Sequence, residues 1–181
     1  MNLPLQLSSL RTEFGRARLE AERLTSDLSE AQLWQKPSDG GWSVGECLAH
    51  VNLAGEPYLQ KMREALTAVK GKERRAEGPF RFGFLGGRFI RALSAESKGK
   101  FKAPTVWQPD AEPDVLGRFT QLQDDLLELT READGLDLTR IKLSSPLSPL
   151  IRLSLFESLN LIAVHEDRHL KQASRVRQTL A

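Results

Sequence analysis

His165-Glu166-Asp167-Arg168-His169 decides how the rest of this 181-residue chain is read. Two histidines four positions apart on a helix project from one face, so both imidazoles can reach one cation while the backbone keeps its hydrogen bonds. The zinc-peptidase reading of H-E-x-x-H needs a further Glu or His downstream, and the stretch from Leu170 to Ala181 has no Asp, Glu, His or Cys. A third ligand must come from elsewhere. The chain has 3 histidines, the last being His50, so a three-histidine site would use them all.

Working outward, the histidine pair sits in a segment whose start is marked by Ser154 and Glu157, the spacing of a capping box, and which runs as a helix to about Gln178. Ser43 and Glu46 repeat that spacing after the turn-rich Lys36-Pro37-Ser38-Asp39-Gly40-Gly41, with Trp42 placed to staple onto Cys47. They open a helix that carries His50 and extends to about Val69, with Gly55 and Pro57 predicting a kink. Leu7, Leu10, Phe14, Ala17, Ala21, Leu24 and Leu28 recur at three- and four-residue steps and predict a first helix from about Leu5 to Leu28. Leu116, Phe119, Leu122, Leu126 and Leu129 predict another to about Ala133, with Gly135 as its stop. Residues 70–102 hold ten Lys or Arg against three acidic residues, which predicts a long basic connection with a short amphipathic helix near Leu85 to Leu93. No convincing strand alternation appears, though Leu138 to Leu143 would pass for a short one, and Pro146 and Pro149 predict a loop. The expected fold class is all-α: a four-helix bundle with a long connection between helices 2 and 3, a fold that builds metal sites on facing helices.

A chain of this length supports one domain, 1–181, with a sizeable core. With 40% hydrophobic and 28% charged residues, and no apolar run near the roughly 18 residues of a membrane span, a soluble globular protein is expected. The N-terminus shows no secretory pattern, and the lone Cys47 leaves no intrachain disulfide, so a cytoplasmic location is expected. A net charge of +2 gives no global drive toward nucleic acid or membrane.

The pattern Trp42-Ser43-x-x-Glu46-x-x-x-His50 on a second helix, with His165-Glu166-x-x-His169-x-x-Gln172 on the last, resembles the DinB-like superfamily, which includes YfiT-type proteins. The likeness covers nearly the whole chain. It implies a four-helix bundle binding a divalent metal, nickel or zinc, through His50, His165 and His169. It also implies chemistry on a small-molecule substrate: transfer reactions with a low-molecular-weight thiol such as bacillithiol or mycothiol, a thiol-dependent isomerisation, or a related metal-dependent hydrolysis. A non-catalytic metal-binding module in stress response or interaction is the alternative. A homodimer is expected from the same likeness and from the frequency of twofold oligomers. The basic, Phe- and Gly-containing 70–102 region is longer than the usual connection in that family.

Other residues near the motifs divide between roles. Glu166 points about 100° from His165 on a helical wheel, which favours a surface or ion-pair role over a catalytic one. Gln172 shares the His169 face and reads either as a residue orienting a ligand or water or as ordinary core polarity. Glu46 reads as a cap and Cys47 as a buried free thiol, although Cys47 shares a face with His50. The basic region reads as a solvated loop before a receptor for an anionic substrate. Trp34, Trp42 and Trp107 read as core or rim.

Overall fold

The computed structural model describes residues 3–72, 74–76, 78–93 and 104–180. In chain order they form α1 (Leu3–Thr25), a short α2 (Glu30–Leu33), α3 (Val44–Val69), α4 (Phe84–Leu93), a 3-10 turn (Thr105–Trp107), α5 (Val115–Glu132), a hairpin of β1 (Lys142–Ser145) and β2 (Ser148–Ser154), and α6 (Leu155–Arg177). The part of the basic stretch from 94 to 103, including Gly99 and Phe101, lies outside the described residues.

Capping fixes where the two histidine-bearing helices begin. Ser43 Oγ accepts from the Glu46 amide at 3.0 Å while the Glu46 carboxylate accepts from the Ser43 amide at 2.8 Å. Ser154 and Glu157 do the same for α6, at 3.2 and 2.7 Å. Each box satisfies two amides that a helix start otherwise leaves without partners, so the register of His50, His165 and His169 is set from fixed origins. Helix α3 runs to Val69 through Pro57, and α5 is followed by Gly135 at φ 76°, a left-handed conformation suited to glycine after a helix end.

The four long helices pack pairwise: α3 against α5 and α6, α1 against α5 and α6. Their shared core holds Leu7, Phe14, Leu48, Met62, Phe119, Leu126 and Leu159, all nearly inaccessible. The periodicity of α1 and α5 is what puts these side chains there: the residues at three- and four-residue steps are the buried ones.

The chain is mostly helical, as the periodicity predicts, but not purely so. The segment expected to be a Pro-bearing loop is an antiparallel hairpin pairing Lys142 with Ser154, Leu143 with Leu153 and Ser144 with Arg152, with a register shift before Ser145. Pro149 is tolerated because a two-stranded ribbon is all edge, so a missing amide donor costs no ladder bond on the open side. The hairpin packs on α3 and α6, where Tyr58 and Ser145 share a buried hydroxyl–hydroxyl bond of 2.6 Å.

Helix α4 docks on α6 through glycine. The Glu157 carboxylate accepts from the Gly83 amide at 2.7 Å, and a Cβ added at Gly86 would lie 2.3 Å from Glu157 Oε1. Burial works against the charge of Glu157, but hydrogen bonds from Ser154 and Gly83, with Lys142 nearby, outweigh it and hold the carboxyl below the usual range. An anchor tied this way cannot swing aside. Gly86→Ala is therefore expected to cost about 1–3 kcal/mol through overpacking, whereas Gly15→Ala, with nothing within 4 Å of the new Cβ, should leave stability equal or higher. Thermal melts of the two variants separate these outcomes.

Candidate metal centre

His50 on α3 faces His165 and His169 on α6. The ring centroids stand 5.0 Å apart for His50 and His165 and 4.6 Å for each other pair, and one ligand atom from each histidine lies within 4.8 Å of the others. The three histidines predicted as ligands are thus brought together from two helices, and they are placed so that one metal ion could be held among them.

Hydrogen bonds at the far side of two rings fix which nitrogen faces inward. His50 Nδ1 lies 2.7 Å from the Trp107 carbonyl oxygen, which can only accept, so the neutral ring carries its proton there and Nε2 presents a lone pair. His169 Nδ1 lies 3.2 Å from Gln172 Oε1 and donates to it, which again leaves Nε2 free. The Nε2 atoms of His50 and His165 are 3.2 Å apart. Two nitrogens each about 2.0–2.1 Å from one cation sit about 2.9–3.4 Å apart at octahedral or tetrahedral angles, so the His50–His165 pair is spaced for a divalent ion. Burial, then for His165 and His169 the neighbouring imidazoles and Arg168, lowers all three histidines, His165 to about 3. Neutral imidazole is the form that ligates.

Trp42, expected in the core or at its rim, is half-buried with its ring 4.6 Å from that of His50 and 5.5 Å from that of His169. It walls one side of the cluster. Trp107 contributes its backbone rather than its ring. Trp34 packs against Gly45, where a Cβ would meet its ring at 2.6 Å, and so braces the first turn of α3. Cys47 is buried and outside the ligand cluster; burial, then the charge of Glu46, pushes its thiol up to about 12, which leaves it inert. Glu46 is committed to its cap and to Lys36 at 2.8 Å.

Glu166 corrects the expectation of a surface or ion-pair role. It is 1% exposed, with Oε1 accepting from Gln123 Nε2 of α5 at 2.9 Å. Its Oε2 and the Gln123 Oε1 are both buried, with no hydrogen-bond partner assigned to either. Burial raises the Glu166 carboxyl to about 8, the Gln123 bond opposing only in part, so the group holds its proton at neutral pH. Gln123 was legible as a polar residue on the Phe119, Leu122 and Leu126 stripe of α5, where a polar side chain needs a buried partner. A narrow apolar cavity of about 30 Å³ adjoins His165 and Glu166, lined also by Val51, Ala54, Tyr58, Leu161 and Ile162, with partly exposed Leu147 at its edge. It holds a single water or a methylene-sized group.

The three histidines could hold a metal ion between two helices of a mostly helical protein, and a family model described as the DinB superfamily matches residues 13–173, a span that includes every residue of the cluster. The chain belongs to the DinB superfamily. No curated protein and no solved structure matches it. Among the described residues no helix is long and apolar enough to cross a membrane.

Proposed function

We propose that the protein is a divalent-metal-dependent enzyme in which His50, His165 and His169 hold nickel or zinc, and that it acts on a small molecule with a low-molecular-weight thiol as cosubstrate. A transferase is the leading reading and a hydrolase its nearest variant. The observation that carries it is the pair of outward hydrogen bonds, His50 to Trp107 and His169 to Gln172, which aim two Nε2 lone pairs at one point shared with His165. The ring of contacts α1–α5–α3–α6 supports reading the fold as a four-helix bundle with a metal at its core.

When bound, a divalent cation supplies Lewis acidity and lowers the pKa of a thiol or water brought to it. The protein's own residues supply the rest. Trp107 and Gln172 hold two rings in the ligating tautomer, Trp42 and the apolar lining exclude water, and Glu166, which lines the same small cavity as His165, keeps its proton. A neutral buried acid next to a site of charge development can donate that proton to a substrate atom. Glu166 and His165 line the same small cavity, and a neutral acid beside the site favours turnover over a purely structural metal.

Protein purified without a histidine tag is expected to carry about one nickel or zinc per chain by elemental analysis. Panels of thiols with electrophiles, run beside simple esters and amides, should then give thiol-dependent product that disappears on chelation. Metal without product in either panel would replace the enzyme by a metal-binding module.

A further inference from the structure

Helix α4 is amphipathic with its small side chains inward. Phe84-Leu85-Gly86-Gly87-Arg88-Phe89-Ile90-Arg91-Ala92-Leu93 buries Gly86, Gly87 and Ile90 and leaves Phe84 79% and Leu85 66% exposed. The cause is the Glu157 carboxylate, which occupies the space a side chain at position 86 would need. An ordinary surface helix places its bulky apolar residues against the core. Here Gly86 and Gly87 make the contact at the start of the helix, with Ile90 buried behind them, and Phe84 and Leu85 face out. Phe82, just before the helix, is 44% exposed and stacks on Phe156 at 5.1 Å, so the exposed apolar surface continues from Phe82 to Leu85. Contiguous apolar surface of this kind marks a contact site.

Apart from the buried Glu157 carboxylate beneath α4, the charge of this segment is positive. Residues 78–93 contain Arg81, Arg88 and Arg91, all exposed, and no Asp or Glu. At about 100° per residue, Phe84, Arg88 and Arg91 share one side of α4, with Leu85 beside them. The nearest acids along the adjoining α1–α6 groove, Glu13 and Asp167, are paired with Arg16 and Lys171. Arg81 and Arg88 thus give this face a positive charge that the near-neutral net charge of the chain conceals.

We propose that Phe82 and the outward face of α4 dock on an anionic lipid bilayer, with Phe84 and Leu85 entering the boundary between headgroups and acyl chains and Arg81 and Arg88 meeting lipid phosphates. The two apolar side chains stand proud of the surface, and the arginines alternate with them on one face. That is the arrangement of an interfacial helix, whereas a protein contact keeps charge at the rim of an apolar centre.

The test is co-sedimentation of the full chain with vesicles of equimolar phosphatidylglycerol and phosphatidylcholine, compared with phosphatidylcholine alone. Partition onto the anionic vesicles is expected, weakened by high salt. The double variant Phe84→Ser, Leu85→Ser should lower it at least about tenfold, and Arg88→Glu should lower it further while leaving the melting temperature unchanged. No partition, equal partition onto both vesicle types, or partition that survives the double variant would overturn the proposal. So would wild-type self-association that the double variant abolishes in sedimentation velocity, since the face would then be a contact between copies of the chain.

Discussion

His50→Ala should lose its metal while remaining folded. His165 and His169 lie on one helix and can offer only two donors from one side, so the site closes solely through the ligand from α3. Removing a residue that merely orients a ligand already lowers metal affinity by about 10–100-fold; loss of a ligand should exceed the upper end of that range. Gln172→Ala tests the smaller effect: the His169 Nδ1 proton loses its acceptor, and a loss within about 10–100-fold is expected. The alanine at position 50 also leaves the Trp107 carbonyl without its donor, at a cost of about 1–3 kcal/mol, so circular dichroism should accompany the metal assay. The ring of Trp42, 4.6 Å from that of His50, gives a second readout, since nickel bound there should quench its fluorescence in the wild type and not in the variant. A folded His50→Ala protein with full metal content would refute the three-histidine site.

Glu166→Gln should stabilise the metal-free protein at alkaline pH. In the unfolded chain this carboxyl ionises near 4.5, in the folded protein at about 8. Between those values the native state holds a proton that the unfolded state has released, so this residue lowers stability as pH rises through that window. Glutamine has no proton to lose, and its amide can accept from Gln123 Nε2 and donate to Gln123 Oε1 at every pH. The gain over wild type should reach a few kcal/mol near pH 8 and fade toward about pH 4.5. The histidines act on the other side. Their folded-state values lie below 6.5, so below that pH the unfolded chain takes up protons that the native cluster refuses, and stability falls on acidification in both proteins. Denaturant melts across the pH range should therefore show the variant losing only the alkaline decline. A uniform offset, or a variant weaker at high pH, would contradict a neutral buried Glu166. With metal restored, a slower reaction at unchanged metal content would tie the Glu166 proton to turnover.

The parts of the structure visible in the sequence are those encoded by local chemistry. Ser43 with Glu46 and Ser154 with Glu157 announce helix starts, and the leucine and phenylalanine spacing announces which faces go inward. The four-residue spacing of His165 and His169 announces a shared face. The hairpin escaped because β1 has four residues and Leu150 on β2 is 92% exposed, which spoils the alternation that marks a strand. Glu166 escaped because α6 packs on α1, α3 and α4, and its Gln123 partner comes from α5. At position 166 the 100° step from His165 leads to Gln123 of α5 and not to water. The acceptor of His50 escaped for a deeper reason: every residue but proline has the same backbone groups, so a peptide oxygen leaves no signature in the sequence.

That oxygen belongs to the last residue of the 3-10 turn Thr105–Trp107, a segment remote from His50 in the chain. A peptide oxygen survives any substitution, so mutation at position 107 can change what surrounds the turn without deleting the bond. Only displacement of the turn can break it. The basicity of one proposed metal ligand is thereby shielded from point mutation and exposed to movement, which makes the link between the basic connection and α5 the place where loop remodelling, more than residue exchange, would retune the site.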